Sequence, residues 1–484
     1  MRADEFLLLG PEIVLGTAGM LLLVFGSIGK GTGTRESAAF SLLGLGLTLG
    51  LVMWIQAGQG GEPRLILGGT FVLDRFAYFW KLLVLVATAL TVLLSVRYVE
   101  EAGYRPGEYF ALVLLASTGM LFMAGGTSLL SIWIALELMA LSSYVLAGYF
   151  KAERKSNEAA LKYFVLGALS SGLLLYGISL LYGATGSLQL DAVAEALPRA
   201  VASGSLLVPL GWMLLAAGLL FKVAAAPFHV WAPDVYTGAP TPITAYLAAA
   251  SKASSFAILL RIFYQGLGEL RADWQLVIAL VAVLSMIWGN LAALTQDNVK
   301  RMLAYSSVAH AGYVLVGVLA ANEIGGWAVL FYLLAYSLIT LGAFGTVILL
   351  ERREYAGETC ADYAGLARRS PFLAAMMLVF MIALTGIPPT GGFVGKFYLF
   401  AAAIQAGWTW VAVVGVVTSA ISLYYYFRIV VFMYQTDAES RTPAPAPARG
   451  VAFAIALCAL ATIVLGVWPG PFIEWARAAT LLVR

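Results

Sequence analysis

Long apolar runs recur along nearly the whole of this 484-residue chain, with only short polar gaps between them. A helix that crosses a lipid bilayer needs about 20 predominantly apolar residues, and the runs have about that length. The composition agrees, because 61% of the residues are hydrophobic and 11% are charged, whereas a typical soluble domain is about 25% charged. We therefore predict an all-α polytopic membrane protein. Nucleic-acid binding is disfavoured, since the charges are dispersed and form no basic stripe.

The apolar runs predict about fourteen transmembrane helices. No gap between them is long enough for a soluble domain, so residues 1–484 are predicted to form a single membrane domain. A short amphipathic tail, 471–483, follows the last helix. The predicted helices lie near 6–26, 38–55, 72–96, 108–124, 127–149, 158–183, 206–231, 241–265, 274–295, 299–320, 325–350, 371–403, 408–434 and 450–469.

The distribution of lysine and arginine predicts an orientation. The gaps that follow odd-numbered helices contain fifteen of these residues, whereas the opposite side contains six. Loops rich in lysine and arginine remain cytoplasmic. Both termini are therefore predicted on the outer, periplasmic side of a bacterial inner membrane.

Two predicted helices contain breaks. Pro227 lies within the seventh helix, and Pro388 and Pro389 lie at the centre of the twelfth. Proline removes a backbone hydrogen bond, and in lipid the freed carbonyls need protein or water partners. Because paired breaks at corresponding places typify inverted repeats around a transport site, we predict two five-helix repeats, helices 4–8 and 9–13. The domain then divides into 1–107 (helices 1–3), 108–265 (first repeat), 274–434 (second repeat) and 450–484 (last helix and tail).

Four charged residues interrupt the apolar runs. Glu137 is the only acidic residue interpreted as lying midway along a long run, and Lys222, Lys252 and Lys396 break runs in the same way. A charge at the centre of a bilayer costs roughly 2.5–3.5 kcal/mol on insertion scales and usually marks a functional pathway. Burial disfavours the charged form of an amine, and a nearby carboxylate favours it. A movable carboxylate would thus switch a lysine between holding and releasing a proton, which predicts a proton path.

Each of these four residues also has a structural interpretation. Glu137 could belong to an ion pair that only joins two helices. Lys222 and Lys396 could neutralise carbonyls that the breaks set free. Lys252 could extend its amine to the membrane surface.

Other polar side chains are weaker candidates. Ser306, Ser307 and His310 follow one apolar helix and could order water between proton-holding groups, although His310 could equally be a hydrogen-bonded core residue. Lys162 follows Glu158 at the i,i+4 spacing of a helical ion pair, so a structural or interfacial role competes with transport.

Two further basic residues, Lys81 and Arg261, lie near the ends of their runs and are interpreted as interfacial anchors.

The sequence contains no recognisable cofactor-binding motif. Two distant cysteines, Cys360 and Cys458, cannot supply a four-cysteine iron–sulfur cluster. Two histidines do not suggest a metal or bis-haem site, and no nucleotide-binding glycine motif is present.

Five motifs together resemble a known family, the antiporter-like membrane subunits of respiratory complex I. The same fold serves multisubunit sodium/proton antiporters and membrane-bound hydrogenases. Within the family the resemblance is greatest to the N-type subunits, and residues 70–435 carry most of it. The motifs are EAALKYF (158–164), FKVAAAPFHVWAPDVY (221–236), APTP (239–242), KRMLAYSSVAHAGY (300–313) and GIPPTGGFVGK (386–396).

The resemblance implies roles for individual residues. Glu137 corresponds to a fifth-helix glutamate that pairs with the seventh-helix lysine, Lys222. Lys252 corresponds to a connecting residue on the central polar axis, and Lys396 to a terminal lysine that exchanges protons with the far side. Lys162 matches a sixth-helix lysine. His229, inside the seventh-helix motif, is a further candidate.

The resemblance also implies a setting. The chain would move protons while quinone is reduced elsewhere in an NADH–quinone oxidoreductase, with flavin and iron–sulfur clusters in partner subunits and none in this chain. The expected partners are other membrane subunits, including homologous antiporter-like ones, and lipids. The alternatives are a subunit of a cation/proton antiporter or hydrogenase-type complex, or a non-pumping structural subunit.

Overall fold

The computed structural model describes residues 3–27, 33–59, 62–351, 357–435 and 449–483. Within them the chain is almost entirely helical, apart from one antiparallel hairpin of β1 (Arg64–Ile66) and β2 (Phe71–Leu73). The α-helices are α1 (Ala3–Leu8), α2 (Gly10–Ser27), α3 (Thr34–Gln59), α4 (Arg75–Ala102), α5 (Pro106–Gly125), α6 (Leu129–Ala147), α7 (Arg154–Thr185), α8 (Leu190–Ala202), α9 (Leu207–Lys222), α10 (Trp231–Gly238), α11 (Thr241–Tyr246), α12 (Lys252–Arg261), α13 (Arg271–Leu294), α14 (Val299–Ala320), α15 (Glu323–Leu350), α16 (Leu366–Arg369), α17 (Pro371–Thr385), α18 (Gly391–Gln405), α19 (Thr409–Gln435), α20 (Arg449–Val467) and α21 (Gly470–Ala478).

The prediction of an all-α polytopic membrane protein is confirmed. In the described part of the chain, eleven helical segments are long and apolar enough to cross a membrane. Three apolar helices are shorter: Gly10–Gly26, Leu207–Lys222 and Pro371–Thr385. The hairpin and α8 were not predicted, because three-residue strands and a 13-residue amphipathic helix fall below the length that a membrane-span pattern detects.

Both helix breaks are present. The first separates α9 from α10 over 223–230, and the second separates α17 from α18 over 386–390. The Ala226–Pro227 and Pro388–Pro389 peptide bonds are cis. Gly386 ends α17 with φ +87°, a left-handed conformation that favours glycine. The bundle satisfies backbone groups freed at the first break, where the Ser285 hydroxyl accepts a hydrogen bond from the Ala226 N–H at 2.8 Å.

The predicted eighth helix is irregular and lies at the centre of the bundle. It consists of α11, a π-helical turn (Leu247–Ser251), α12 and a second π-helical turn (Ile262–Gly266). The apolar window of the span Thr241–Gly266 is entirely buried. Turns of π-helix commonly accompany functional sites in helices. Lys252 directly follows the first of these turns, which makes it a candidate functional residue. We call residues Thr241–Gly266 the central segment.

The interpretation of Lys81 and Arg261 as interfacial anchors is wrong. The Lys81 side chain is 1% exposed and lies 2.6 Å from a carboxylate oxygen of Glu12. Arg261 is likewise 1% exposed and forms two hydrogen bonds of 3.0 Å with the Asp74 carboxylate. Glu137 is therefore not the only acid enclosed by apolar helices, since Glu12 is buried more completely. A position near the end of an apolar run indicates membrane depth, but not which helix covers it.

Candidate functional site

Lys222 is the last residue of α9, immediately before the first break. Its side chain is buried, and Nζ donates a hydrogen bond of 3.2 Å to the Tyr144 hydroxyl on α6. Nζ also lies 5.6 Å from the centre of the Tyr144 ring, within range of a cation–π contact. The implied direct pair with Glu137 is absent, because no salt bridge within 4.0 Å joins these two described residues.

Glu137 lies on α6, partly exposed on the side of the isolated chain. The Ser171 hydroxyl on α7 donates a hydrogen bond of 2.5 Å to its carboxylate. The Trp133 indole N–H in turn donates to the Ser171 oxygen at 3.0 Å. Sequence reasoning missed Ser171 and Tyr144, although polar residues on neighbouring helices are the expected partners of an intramembrane charge. The Glu137 carboxylate thus accepts a hydrogen bond from Ser171, which in turn accepts one from Trp133.

Lys252 is 2% exposed, so the interpretation that it extends to the membrane surface is wrong. Nζ donates to the backbone carbonyl of Ser307 at 2.7 Å and also contacts the Ser307 hydroxyl. A buried amine held by one carbonyl and one hydroxyl lacks a neutralising carboxylate among these hydrogen-bond partners. Such an amine can bind or release a proton without first breaking an ion pair.

His310 lies on α14, three residues after Ser307, and contacts two buried tyrosine hydroxyl groups. Its Nδ1 lies 2.5 Å from the Tyr332 hydroxyl, and its Nε2 lies 3.0 Å from the Tyr426 hydroxyl. The Ser306 hydroxyl also contacts Tyr426. The same helix contacts both lysines, because Ser307 accepts a hydrogen bond from Lys252 and the Tyr313 ring lies 4.6 Å from the Lys396 amine.

Lys396 lies in the second turn of α18, just after the second break. Nζ donates to the carbonyl oxygens of Leu384 and Thr385 at 2.9 and 3.0 Å, and to the Ser419 hydroxyl at 2.9 Å. The amine therefore does neutralise carbonyls that the break sets free, as the structural interpretation expected. It also lies 4.6 Å from the centre of the Tyr313 ring, which brings it next to the α14 residues.

Lys162 and His229 lie apart from these contacts. Lys162 is 40% exposed and pairs with Glu158 at 2.8 Å, as the sequence predicted, and with Asp234 at 2.6 Å. Asp234 also binds Arg301 at 2.9 Å. His229 is buried inside the first break, near the Trp288 and Tyr305 rings. Its Nδ1 has no hydrogen-bond partner among the residues described.

The arrangement is suited to proton transfer. Between Lys252 and Lys396, α14 presents Ser307, His310 and Tyr313 at three-residue spacing, which puts them on one helix face. Hydroxyl and imidazole groups both donate and accept hydrogen bonds, so they can pass a proton along a chain. The residues that the structure describes include no group of three or more His, Cys, Asp or Glu side chains that could hold a metal ion.

Comparison with known proteins gives the family. The family model described as NADH:quinone oxidoreductase/Mrp antiporter, TM, matches residues 126–422. NADH-quinone oxidoreductase subunit N of Trichlorobacter lovleyi is 41% identical over 473 residues, which cover 98% of this chain and 96% of that protein. NADH-quinone oxidoreductase subunit N 2 of Solibacter usitatus is 46% identical over 429 residues, 88% of this chain and 86% of that protein. A chain of respiratory complex I from Thermus thermophilus with bound aureothin has a TM-score of 0.83 and 35% identity, covering 97% of this chain and 99% of its own length. The chain therefore belongs to the NADH:quinone oxidoreductase/Mrp antiporter transmembrane family.

Proposed function

We propose that this chain is the N-type, proton-translocating membrane subunit of an NADH–quinone oxidoreductase. One observation carries the proposal: Lys222, Lys252 and Lys396 are all buried, and each amine contacts a hydroxyl group inside the bundle. Full-length relatives bearing the subunit N name support the assignment to that complex.

The proton path begins at the pair of Glu137 and Lys222 and ends at Lys396. In the state described here, Lys222 binds the Tyr144 hydroxyl and Glu137 binds Ser171. If the lysine and the carboxylate approach each other, their attraction holds a proton on Lys222; when they separate, the buried amine releases it. The proton passes to Lys252, then along the α14 hydroxyls and His310 to Lys396.

The finer architecture belongs to the same proposal. The chain crosses the membrane fourteen times, with the three shorter apolar helices included, and has both termini on the outer side. Two inverted five-helix repeats surround the path, each with one broken helix, as inverted-repeat transporters have. The parts of the domain keep the sequence-based bounds 1–107, 108–265, 274–434 and 450–484.

The energy for translocation comes from outside this chain. Quinone reduction in the complex drives the transfer, and flavin and iron–sulfur clusters reside in partner subunits. Homologous antiporter-like subunits and lipids cover the side faces of the bundle. Glu137, partly exposed on one such face, is then enclosed when a neighbouring subunit packs against α6, as intramembrane charges usually are.

The test is a pair of substitutions in the assembled complex. Glu137→Gln and Lys222→Ala should leave assembly and flavin content unchanged while reducing the number of protons pumped per electron in membrane vesicles. Lys155→Ala is the matched control, because Lys155 is 52% exposed and pairs with Glu358 on the surface. Wild-type pumping by both path variants would refute the residue assignment. Purification with other antiporter subunits but without redox centres would instead favour the cation/proton antiporter.

A further inference from the structure

A second buried ion pair lies outside the proposed path, where α2 meets α4. The side chains of Glu12 and Lys81 are 0% and 1% exposed, and their charged atoms lie 2.6 Å apart. The Lys81 amine also lies 5.1 Å from the centre of the Phe71 ring. The pair is thus enclosed at the end of the bundle that carries the β1–β2 hairpin, which we call the hairpin end.

The hydrogen-bonding capacity of this pair is largely unused. Apart from the 2.6 Å contact between Glu12 and Lys81 themselves, neither the Glu12 carboxylate nor the Lys81 amine has a further hydrogen-bond partner within the described ranges, and the adjacent Trp80 indole N–H has none. A buried ion pair is stabilised mainly when further hydrogen bonds satisfy its remaining donors and acceptors. A purely structural pair with this many unsatisfied atoms is therefore a poor way to join two helices.

The neighbouring ion pair of Asp74 and Arg261 provides a contrast. Arg261 donates to both Asp74 oxygens at 3.0 Å and to the Ala124 carbonyl at 3.0 Å. Arginine remains protonated at all relevant pH values, whereas a buried lysine can lose its proton. The Arg261 pair thus has several further hydrogen bonds, whereas the Lys81 pair has no hydrogen bond beyond its own 2.6 Å contact.

Buried hydroxyl groups lie on the same face of α4 as Lys81, beginning with Thr88 roughly 10 Å further along the helix. Lys81, Thr88 and Ser95 are spaced by seven residues, so they share one helix face and extend over roughly 21 Å of helix. Thr88 hydrogen-bonds to Ser117 at 2.8 Å, and Ser117 to Tyr246 at 2.6 Å. Tyr246 ends α11, six residues before Lys252 in the central segment.

We infer that Glu12 and Lys81 form a further proton-holding site, connected through the α4 hydroxyl groups to the central path. The inference rests on the proposed function. One N–H bond of the Lys81 ammonium breaks and one O–H bond of the Glu12 carboxyl group forms, and no electron is transferred. The carboxyl group then releases its proton at the hairpin end, and the neutral amine accepts the next proton from the α4 side.

Lys81→Arg is the decisive variant, because it keeps the positive charge but cannot release a proton. Measured in the complete complex, it should retain assembly and quinone reductase activity, and its protons pumped per electron should fall to the level of Lys222→Ala. Wild-type pumping by assembled Lys81→Arg would overturn the inference. If Lys222→Ala itself pumped like the wild type, the proposed path would fail, and the two failures are therefore distinguishable.

A second variant covers the case in which arginine does not fit. The double substitution Glu12→Gln with Lys81→Met removes both charges together, so it leaves no unpaired buried charge. Pumping at the wild-type level in the assembled double variant refutes the site, and pumping at the Lys222→Ala level supports it.

A measurement on the unaltered complex is independent of both variants. A hydrophobic carbodiimide modifies protonated carboxyl groups in apolar surroundings, and the modified residue is identified by mass spectrometry of the peptide that contains Glu12. We expect modification of Glu12 that increases as the pH falls. Modification of Glu12 that does not change with pH would mean that the carboxyl group does not exchange its proton with the outside, and it would overturn the inference.

Discussion

The contact between Arg261 and Asp74 gives the sharpest test of how this fold is held together. The guanidinium group makes four hydrogen bonds of 3.0–3.3 Å: two to the Asp74 carboxylate, one to the Ala124 carbonyl and one to Gln265. The Arg261 and Asp74 side chains are 1% and 14% exposed. One side chain therefore joins the start of α4, the end of α5 and the end of the central segment.

Substitution of Arg261 by Met should cost roughly 3 kcal/mol, the lower end of the range for breaking a buried ion pair, because the carboxylate left without its partner is partly exposed and still accepts the Ala77 N–H. Arg261→Lys keeps the charge but cannot form the two parallel hydrogen bonds, and we expect a loss of about 2–3 kcal/mol, on the scale of one or two hydrogen bonds to a charged group. An interfacial anchor would tolerate lysine, because lysine also reaches the membrane surface. The two interpretations thus differ most at this conservative change.

The assay is thermal dissociation of the detergent-purified complex, followed by size-exclusion chromatography of a fluorescently tagged chain. Asp74→Asn retains an oxygen that can accept the helix-capping hydrogen bond from Ala77, which is 2.7 Å in length. The double variant Asp74→Asn/Arg261→Met should therefore lose less stability than the sum of the single variants. An unchanged thermal midpoint for Arg261→Lys, together with additive effects in the double variant, would refute a stabilising role for the Arg261–Asp74 contact.

Three further changes test other parts of the structure. Gly392→Ala should cost about 1–3 kcal/mol in the same thermal assay, because the new methyl group would overlap a backbone carbonyl of α17. Gly46→Ala is the matched control: its methyl group meets no atom within 4 Å, and alanine favours a helix over glycine, so no loss of stability is expected. Ser171→Ala removes the donor to the Glu137 carboxylate and should lower pumping by about tenfold or more, because a hydrogen bond to a charged group is worth about 1.5–3 kcal/mol. Unchanged pumping would argue against a role for that hydroxyl. Burial raises the pKa of the Cys360 thiol, so less thiolate is present at neutral pH than for an ordinary cysteine. Alkylation of Cys360, measured by mass spectrometry, should therefore be slow at pH 7 and accelerate as the pH rises. Rapid modification at pH 7 would contradict the buried environment.

The membrane fold and its breaks follow from local sequence because lipid imposes local rules. A spanning helix must satisfy its own backbone hydrogen bonds and present about 20 apolar residues, so the eleven long spans of the described residues can each be recognised from their own sequence. Proline breaks a helix wherever it stands, which is why Pro227 and Pro388 marked the two interruptions. Lys222, Lys252 and Lys396 were identifiable because a buried charge is conspicuous in an apolar run.

The partners of those charges were decided only by the tertiary structure. The sequence contains no signal that Lys222 contacts Tyr144 rather than Glu137. Nor does it indicate the ion pairs of Lys81 with Glu12 and of Arg261 with Asp74. These pairs connect helices that are distant in the chain, and their contacts depend on rotation and tilt, which packing against neighbouring helices sets. An apolar pattern determines the depth of each side chain in the membrane, whereas its neighbours at that depth are fixed only when the whole bundle assembles.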